Sequence, residues 1–334
     1  MNAHTYLTPD SFIDFDQIKI LTRTEAQAVD QLILNELCSD VVLINQIGHY
    51  IIQNGGKRLR PMLLLLAAKA LGQVQTEHLI LAAVIEFIHT ATLLHDDVVD
   101  ESELRRGQES ANAVWGNAAS VLVGDYLYSS AFEMMVRTNN MRVMEILSKT
   151  TTAIAEGEVL QLLNCNNPNT TEKQYLEVIH RKTAILFSVA AQLAVVIAKA
   201  DTVIEQALAS YGQHLGVAFQ LIDDALDYKA NAEILGKNLG DDLAEGKPTL
   251  PLIYAIAQAK PEAAQIVIEA IKQGSRNAFN AVYQVICDTQ AIEYTEKFAK
   301  QHAEQAVEAL SVLPDSEYKA ALIALARFSV QRSH

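Results

Sequence analysis

Hydrophobic residues recur every three to four positions along almost the whole chain, and sustained two-residue alternation is hard to find. This spacing is typical of helices, so the sequence predicts an all-α protein. The predicted helices are 24–54 with a break near Ser39, 60–72, 76–102, 109–138, 140–164, 171–200, 202–230, 248–259, 261–273, 276–288, 289–311 and 315–331. Several are apolar around much of their circumference, which is expected at the centre of a large helical bundle.

No Pro/Ser-rich linker divides the sequence, so we predict one helical domain over residues 1–334. Residues 1–23 are expected to form a loosely ordered N-terminal extension. The longest apolar run, Thr183 to Ile197, falls short of the ~20 apolar residues that span a bilayer. It is therefore predicted to be a buried core helix, and no integral membrane segment is expected.

The net charge of −14 argues against nucleic acid or an anionic membrane as a main partner, because both require basic surfaces. The first residues carry acids where a secretory signal needs a basic start and an apolar core. The three cysteines, Cys38, Cys165 and Cys287, are widely spaced and form no CxxC pair. Free thiols in a reducing compartment are expected, so we predict a cytoplasmic protein.

Two acidic clusters share one pattern, an apolar run followed by DDxxD. They are ATLLHDDVVD at 91–100 and AFQLIDDALD at 218–227. Asp96 with Asp100, and Asp223 with Asp227, stand four residues apart and share a helix face. Carboxylates without cysteine favour Mg²⁺, Mn²⁺ or Ca²⁺, and Mg²⁺ fills its shell with water and substrate phosphates. The pattern therefore predicts a diphosphate held between two helices through several metal ions.

Two other interpretations of the acidic clusters are open. A single DDxxD is often only a solvated acidic helix face, although two copies in apolar helices make that interpretation less favoured. His95-Asp96 also reads as the HD pair of a metal-dependent phosphohydrolase. On a helical wheel, however, His95 points about 100° away from Asp96.

Basic residues cluster beside special sequence. Gly55-Gly56-Lys57-Arg58-Leu59-Arg60-Pro61 is a turn that opens a helix, which is a natural phosphate site, but its spacing is not that of a P-loop. The other cations are Arg105 and Arg106 after the first DDxxD, Arg181 and Lys182, and Lys237 and Lys247 around an acidic loop. Together they exceed what one diphosphate needs, so two diphosphate substrates are predicted.

These motifs, taken in order, resemble the trans-isoprenyl diphosphate synthases, also called polyprenyl synthetases. The matching segments are GGKRLRP (55–61), LLHDDVVDESELRRG (93–107), HRKTA (180–184), GVAFQLIDDALDY (216–228) and GKNLGDDLAEGKPTLP (236–251). The resemblance covers about Asp40 to Leu252. It implies an antiparallel helix bundle around a deep central cavity, usually homodimeric. The first cluster is similar to that of bacterial members that make octaprenyl diphosphate for quinone side chains.

The resemblance also implies roles for individual residues. Isopentenyl diphosphate would be bound by Lys57, Arg60, His89 and Arg106, with Arg58 beside them. The allylic diphosphate would be bound by Arg105, Lys182, Lys237 and Lys247. Thr183 and Gln220 would lie near the allylic carbons. Asp96, Asp100 and Asp223 would be the main ligands of several Mg²⁺ ions, three with diphosphate bound, while Asp97 and Asp227 would bind outer-shell water or basic side chains. The predicted catalytic set is Asp96, Asp100, Asp223, Lys182, Thr183 and Gln220.

The expected reaction is ionisation of the allylic C–O bond and attack by the isopentenyl double bond on the carbocation. Charge on the departing diphosphate would be stabilised by cationic side chains and metal ions, and apolar helices would exclude water. A proton is then lost to the diphosphate. Farnesyl diphosphate is the expected primer, and the product is expected to be delivered to a membrane. Alternatives are a prenyl diphosphate synthase of another chain length, a class I terpene cyclase and a catalytically silent subunit.

Product length is predicted to depend on the wall one turn before Asp96. Ala91 and Thr92 are both small there, whereas short-chain members of the resembled family have a large aromatic residue at one or both positions. An open tunnel and a long product are therefore implied. Its floor is predicted to be Phe132 with Met134 or Met135, although methionines are more often ordinary core residues.

Overall fold

The computed structural model describes residues 14–53, 56–105, 107–229 and 240–332. The α-helices in these ranges are α1 Phe15–Leu21, α2 Arg23–Glu36, α3 Val42–Gln53, α4 Leu59–Ala70, α5 Thr76–Val99, α6 Ala111–Trp115, α7 Asn117–Arg137, α8 Met141–Asn164, α9 Glu172–Ile179, α10 Ile185–Ala198, α11 Thr202–Lys229, α12 Asp241–Ala244, α13 Leu250–Gln258, α14 Pro261–Gln273, α15 Phe279–Asp288, α16 Ala291–Ala309 and α17 Glu317–Ser329. The predicted all-α class is confirmed.

Short irregular elements separate some of these helices. A π-helical turn, His180–Ala184, joins α9 to α10, and 3₁₀ turns occupy Arg276–Ala278 and Leu310–Val312. Strands β1 Leu104–Arg105 and β2 Gln108–Glu109 pair antiparallel as a small hairpin. The turn and the hairpin matter most below, because each carries a predicted cation.

Three of the differences between the predicted and the observed elements bear on the site. The helix predicted at 109–138 is divided by Gly116, whose φ of 85° interrupts the backbone between α6 and α7. The helix predicted at 171–200 is divided by the π-helical turn. The acidic loop predicted between Lys237 and Lys247 contains the short helix α12 in its described part.

Residues 14–23, predicted as part of a loosely ordered extension, are helical from Phe15. Asp14 caps α1 by accepting the Gln17 amide, and the Gln17 side chain accepts the Asp14 amide in return. This reciprocal capping satisfies two backbone donors, and Ile18 is fully buried. Local capping and one buried anchor therefore order this segment.

The chain forms two compact units. The first comprises the described residues of Met1–Thr151, Leu186–Gly212 and Val307–Leu325, and the second those of Thr152–Ile185, Gln213–Ala306 and Ala326–His334. In the first unit, α4 and α5 supply much of the buried core. In the second, one cluster of buried side chains surrounds Tyr228 and another surrounds Tyr175.

Two described helical stretches, Thr76–Val99 and Glu172–Ala198, are long and apolar enough to cross a membrane by length and composition. In each, 61% of the most apolar window is buried inside the structure, as in the core helix of a globular protein. The prediction that 183–197 lies in the core is confirmed, because most of α10 is buried. Cys38, Cys165 and Cys287 are free thiols, as predicted.

Candidate active site

The first acidic cluster lies at the C-terminal end of α5. Asp96 is in the last turn and Asp100 is the residue that caps the helix. Both are partly exposed, and His89 stands two turns before Asp96 on the same face. The predicted ligand pair and the predicted isopentenyl diphosphate residue therefore share one helix face.

Asp97 differs from its two neighbours because it is buried, with 3% of its surface exposed. Arg105 of β1 donates from Nε to Asp97 Oδ1 at 2.6 Å and also contacts it through a terminal nitrogen at 2.5 Å. Burial raises the pKa of Asp97, and the Arg105 guanidinium opposes that rise. Asp97 thus binds a basic side chain, and Arg105 is held beside the cluster. Arg106 lies outside the described residues.

His95 faces α7 rather than the Asp96–Asp100 face. Its Nε2 lies 3.2 Å from the Val121 carbonyl oxygen and 3.3 Å from Asp125 Oδ1. Its ring stacks on Tyr128, and Gly124 gives it room, because a Cβ at that position would collide with the imidazole. These contacts disfavour the HD phosphohydrolase.

The basic turn before α4 directs two of its arginines differently. Arg58 has a left-handed backbone, with φ 45° and ψ 43°, and pairs with Asp30 of α2 at 2.5 Å. Arg60 instead stacks over the Phe187 ring, 4.3 Å from its centroid. Lys57 is exposed and, with Arg58, lines a cavity of about 550 Å³ against α1 and α2. The described part of this turn opens a helix, as predicted.

The second acidic cluster lies on α11. Asp223 accepts a hydrogen bond of 2.9 Å from Arg332, a residue that follows α17. The Arg332 side chain is only 5% exposed, whereas that of Asp223 is 41% exposed. Arg332 also stacks on Phe219 at 3.8 Å and donates to the Phe219 and Ser329 carbonyl groups. A nearly buried cation therefore neutralises one predicted metal ligand.

Asp227 caps the short helix that follows it in space. Its two carboxylate oxygens accept the amide protons of Asp241 and Asp242, each at 3.2 Å. Burial raises the pKa of Asp242 well above its usual range, and the charges of Asp227 and Asp224 add to this rise. Asp227 thus acts partly as a backbone anchor, in keeping with the lesser metal role predicted for it.

Asp224 lies between the two predicted ligands but points into the core. Its Oδ2 accepts from the Tyr175 hydroxyl at 2.5 Å, and its Oδ1 accepts from Gln220 Nε2 at 2.8 Å. The other end of the Gln220 amide accepts from Thr183 Oγ1 at 3.1 Å. Burial raises the pKa of Asp224 to about 7, despite the two donated hydrogen bonds. The two residues predicted near the allylic carbons are therefore joined.

The π-helical turn His180–Ala184 carries Lys182 and Thr183. Such turns occur mostly as single insertions in α-helices and often at functional sites. Gly157 of α8 packs so closely that a Cβ there would lie 2.8 Å from the Lys182 amide nitrogen. Lys182 pairs with Glu158, one residue along α8. The turn is thus held by a backbone contact and an ion pair.

Of the remaining predicted cations, the structure describes Lys247, which follows α12. Lys247 pairs with Glu245 at 2.5 Å, and its amide donates to the Asp242 carbonyl at 2.8 Å. Lys237 lies outside the described residues. Lys247 is therefore anchored to the same segment that Asp227 caps.

The predicted chain-length residues lie on α5 and α7. Ala91 is fully buried, and Thr92 is half-buried, with its hydroxyl donating to the His89 carbonyl at 2.8 Å. Phe132 is partly buried, while Met134 and Met135 are fully buried, as ordinary core residues would be. Their effect on product length stays a prediction.

The donor set fits a hard divalent cation shared with a substrate. Within the described ranges, no group of three or more His, Cys, Asp and Glu side chains could hold a metal ion. Each acidic cluster instead offers two carboxylates on one helix face, and Mg²⁺ usually takes one or two carboxylates plus phosphate oxygens. The first cluster belongs to the first unit and the second cluster to the second, and their approach stays a prediction.

Sequence reasoning missed four residues of these clusters: Arg332, Tyr175, Asp224 and Asp242. Arg332 lies far from every motif, so no local pattern marks it. Asp224 could have been found, because an acid at an apolar face of a helix needs buried donors. Tyr175, Asp224 and Gln220 form one hydrogen-bonded group with Thr183.

Comparison with known proteins gives consistent matches. A family model described as polyprenyl synthetase matches residues 41–286. An octaprenyl diphosphate synthase of Escherichia coli (strain K12) is 51% identical over 321 residues, covering 96% of this chain and 99% of that protein. One from Haemophilus influenzae is 49% identical over 323 residues, covering 96% and 98%. A solved polyprenyl synthase of Caulobacter crescentus, complexed with calcium and isoprenyl diphosphate, superposes with a TM-score of 0.93 at 44% identity, covering 98% of this chain and 100% of that one.

Proposed function

The chain belongs to the polyprenyl synthetase family, and on this premise we propose that it is a long-chain trans-prenyltransferase. It condenses isopentenyl diphosphate onto an allylic diphosphate, with farnesyl diphosphate as primer, and makes octaprenyl diphosphate for quinone side chains. The observation that carries this proposal is the 51% identity to the E. coli octaprenyl diphosphate synthase over nearly the full length of both chains.

Asp96, Asp100 and Asp223 are the main Mg²⁺ ligands in this proposal, with Asp227 in support. When bound, as three ions with diphosphate present, Mg²⁺ would neutralise charge on the leaving diphosphate. The proposal is supported by the paired carboxylates of α5 and by the partial exposure of Asp223. Asp97 is assigned the role of holding Arg105, because the buried Asp97 carboxylate already pairs with the partly exposed Arg105 side chain.

The chain's own side chains bind and orient the two substrates. Lys57, Arg60 and His89 hold isopentenyl diphosphate, which has no carboxylate-bound metal of its own, and fix its double bond close to the reacting carbon. Lys182 and Lys247, now paired with Glu158 and Glu245, exchange these carboxylates for the allylic diphosphate.

Other residues protect the reaction from water. Thr183 and Gln220 lie near the allylic carbons, and the carbocation is shielded by apolar side chains of α5. Support for this wall comes from the buried run that ends at Leu94, directly before the acidic cluster. The proton lost after coupling goes to the departing diphosphate, for which the described site needs no histidine base.

The enzyme is further proposed to be a cytoplasmic homodimer with one functional domain per chain, which delivers its product to a membrane. Family membership supports the homodimer. Chain connectivity supports the single domain, since α8 and α11 each contribute residues to both compact units. Light scattering on the purified protein would measure the mass of the assembly directly.

The test is incubation of the purified chain with labelled isopentenyl diphosphate, farnesyl diphosphate and Mg²⁺, with product length read by chromatography. We expect octaprenyl diphosphate, and no product with Asp96→Asn or in excess chelator. A prenyl product of another length would change the product assignment but keep the reaction class. Consumption of farnesyl diphosphate without isopentenyl diphosphate would instead indicate a terpene cyclase.

A further inference from the structure

A hydrogen-bonded chain of four side chains runs through the second unit. Tyr175 donates to Asp224 Oδ2, Gln220 Nε2 donates to Asp224 Oδ1, and Thr183 donates to Gln220 Oε1, at 2.5, 2.8 and 3.1 Å. Tyr175 and Asp224 are both buried. Neither has a role in the reaction described above, yet both connect to Thr183, which does.

The direction of these hydrogen bonds follows from the carboxylate. An ionised carboxylate only accepts hydrogen bonds, so the Gln220 amide must turn its NH₂ group towards Asp224. Its carbonyl oxygen then faces Thr183. The Thr183 hydroxyl has one proton, which is donated to that carbonyl, so both lone pairs of its oxygen face away from Gln220.

The local backbone leaves little freedom for another arrangement. Gln220 and Asp224 stand one turn apart on α11, and Thr183 is held in the π-helical turn. Gly157 packs so close to the backbone of that turn that a Cβ at this position would collide with it. The direction of the hydrogen bonds among these side chains is therefore set mainly by Asp224, which lies at the buried end.

We propose that Asp224 is a positioning residue that fixes the direction of the hydrogen bonds through Gln220, so that Thr183 presents an oxygen lone pair to the allylic carbocation. The inference rests on the proposed function, which puts Thr183 beside the allylic carbons. A lone pair stabilises positive charge that develops there, whereas a hydroxyl proton would oppose it. Tyr175 is the second donor that holds the carboxylate in place.

The direct test is Asp224→Asn, which nearly preserves shape but reverses polarity. The new side chain accepts from Tyr175 and donates to the Gln220 carbonyl, so the Gln220 amide turns its NH₂ group to Thr183. The Thr183 hydroxyl must then accept and present its proton instead. We expect kcat to fall about 100-fold, with the KM of each diphosphate within about threefold of wild type.

Two further variants separate polarity from loss of structure. In a Thr183→Val background there is no hydroxyl to orient, so adding Asp224→Asn should lower kcat by less than about threefold. When Gln220→Glu is added to Asp224→Asn, both oxygens of the side chain at position 220 accept hydrogen bonds. The Thr183 hydroxyl can then donate its proton to position 220, as in the wild type. That double variant should recover kcat to within about tenfold of wild type.

Tyr175→Phe is the matched control, because it removes one donor to Asp224 without reversing the chain. Its kcat should fall by less than about tenfold. All variants are assayed at the same pH, and thermal unfolding confirms that each variant is folded. If Asp224→Asn alone does not fold, the Gln220→Glu/Asp224→Asn variant carries the test through its expected recovery.

The outcomes distinguish this inference from the proposed function. A wild-type protein that makes no prenyl product removes the proposed function itself. With an active wild type, the inference is overturned by any of three results. These are unchanged kcat in Asp224→Asn, independent losses from Thr183→Val and Asp224→Asn, or a folded Gln220→Glu/Asp224→Asn variant no more active than Asp224→Asn.

Discussion

At the level of single residues, Arg332 neutralises the Asp223 carboxylate through an ion pair when no metal ion is bound. Its side chain is nearly buried and forms three hydrogen bonds as well as the ring contact with Phe219. The metal binding proposed for Asp223 would have to compete with this ion pair. We therefore expect the contact to lower the affinity of the second cluster for a cation in the absence of substrate.

Replacing Arg332 should separate these two effects. Arg332→Met is expected to lower the free energy of unfolding by about 2 kcal/mol, because charged hydrogen bonds at a buried site are lost. At the same time, Mg²⁺ should raise the Tm of this variant more than that of wild type, since Asp223 is released. Arg327→Met, at an exposed position of α17, is the control. Equal Mg²⁺ responses in both variants and wild type would refute the competition.

The two arginines of the basic turn should differ in their effect on isopentenyl diphosphate. Arg60→Ala is expected to raise the KM for that substrate by about 10- to 100-fold, through loss of charge-assisted hydrogen bonds. Arg58→Ala should raise it much less, because Arg58 is paired with Asp30. Steady-state kinetics with each substrate varied in turn measures this. A larger defect in Arg58→Ala would reverse the assignment within the turn.

How far single residues could be predicted depended on whether their partners are local. Asp96 and Asp100 follow from helical spacing alone, and the structure keeps them on one face. Arg332 could not be found this way, because its partner Asp223 is 109 residues away. The pairing of Arg105 with Asp97 also depends on a two-residue hairpin too short to leave a pattern.

At the level of elements, the π-helical turn depends on a close approach by α8. Gly157→Ala should place a Cβ against the Lys182 amide and cost about 1–3 kcal/mol of unfolding free energy through overpacking. Activity should fall as well, because Lys182 and Thr183 would shift. Gly48→Ala is the control, since its Cβ would meet only the movable tip of Leu37. Denaturant unfolding of both variants tests this, and equal losses would contradict a special role for Gly157.

Product length should respond to bulk on α5. Thr92→Phe or Ala91→Phe is expected to shorten the product sharply while the first condensations continue, and Phe132→Ala should lengthen it. Ala91 is fully buried, so its replacement also risks overpacking, and half-buried Thr92 is the cleaner site. Chromatography of the prenyl products measures the outcome. An unchanged distribution in folded, active variants at both 91 and 92 would show that the tail runs elsewhere.

The periodicity of hydrophobic residues predicts where helices form better than it predicts where they are interrupted. The span 261–273 agrees fully with α14 because Pro261 opens it and Gly274, with φ 57°, closes it. The prediction for the span 109–138 was wrong because Gly116 is one of two glycines in an otherwise periodic run, and only Gly116 has the positive φ that divides the helix. The π-helical turn carries no Gly or Pro at all, so its cause lies in packing that the sequence pattern does not contain.

For the molecule as a whole, a group of histidines in the second unit predicts acid sensitivity. His302 Nδ1 lies 2.9 Å from His214 Nδ1, a distance at which only one nitrogen can carry the proton. Burial lowers the pKa of His302 to about 4 from 6.5, and the charges of His214 and His180 add to this. The folded state thus favours the neutral ring.

The sign of the resulting pH dependence follows from proton linkage. The unfolded chain binds a proton at this residue near pH 6.5 and the folded chain only near 4, so the free energy of unfolding should fall as pH is lowered through that window. The contribution of His302 to the free energy of unfolding is complete above its unfolded-state pKa of 6.5. His302→Gln should reduce the fall in Tm between these pH values, whereas exposed His49→Gln should not. If Tm falls equally with pH in wild type and His302→Gln, His302 is not the source of the acid sensitivity.

The turn at His180–Ala184 also constrains how this chain can be recombined with its relatives. A π-helical turn holds one more residue than an α-helical turn would, and each residue added to a helix turns the following side chains by about 100°. A hybrid that gains or loses one residue there would rotate the whole downstream face rather than change a loop. Exchanges between family members should therefore keep the number of residues in this turn. An alignment gap at 180–184 indicates that the side chains after the turn point in a different direction.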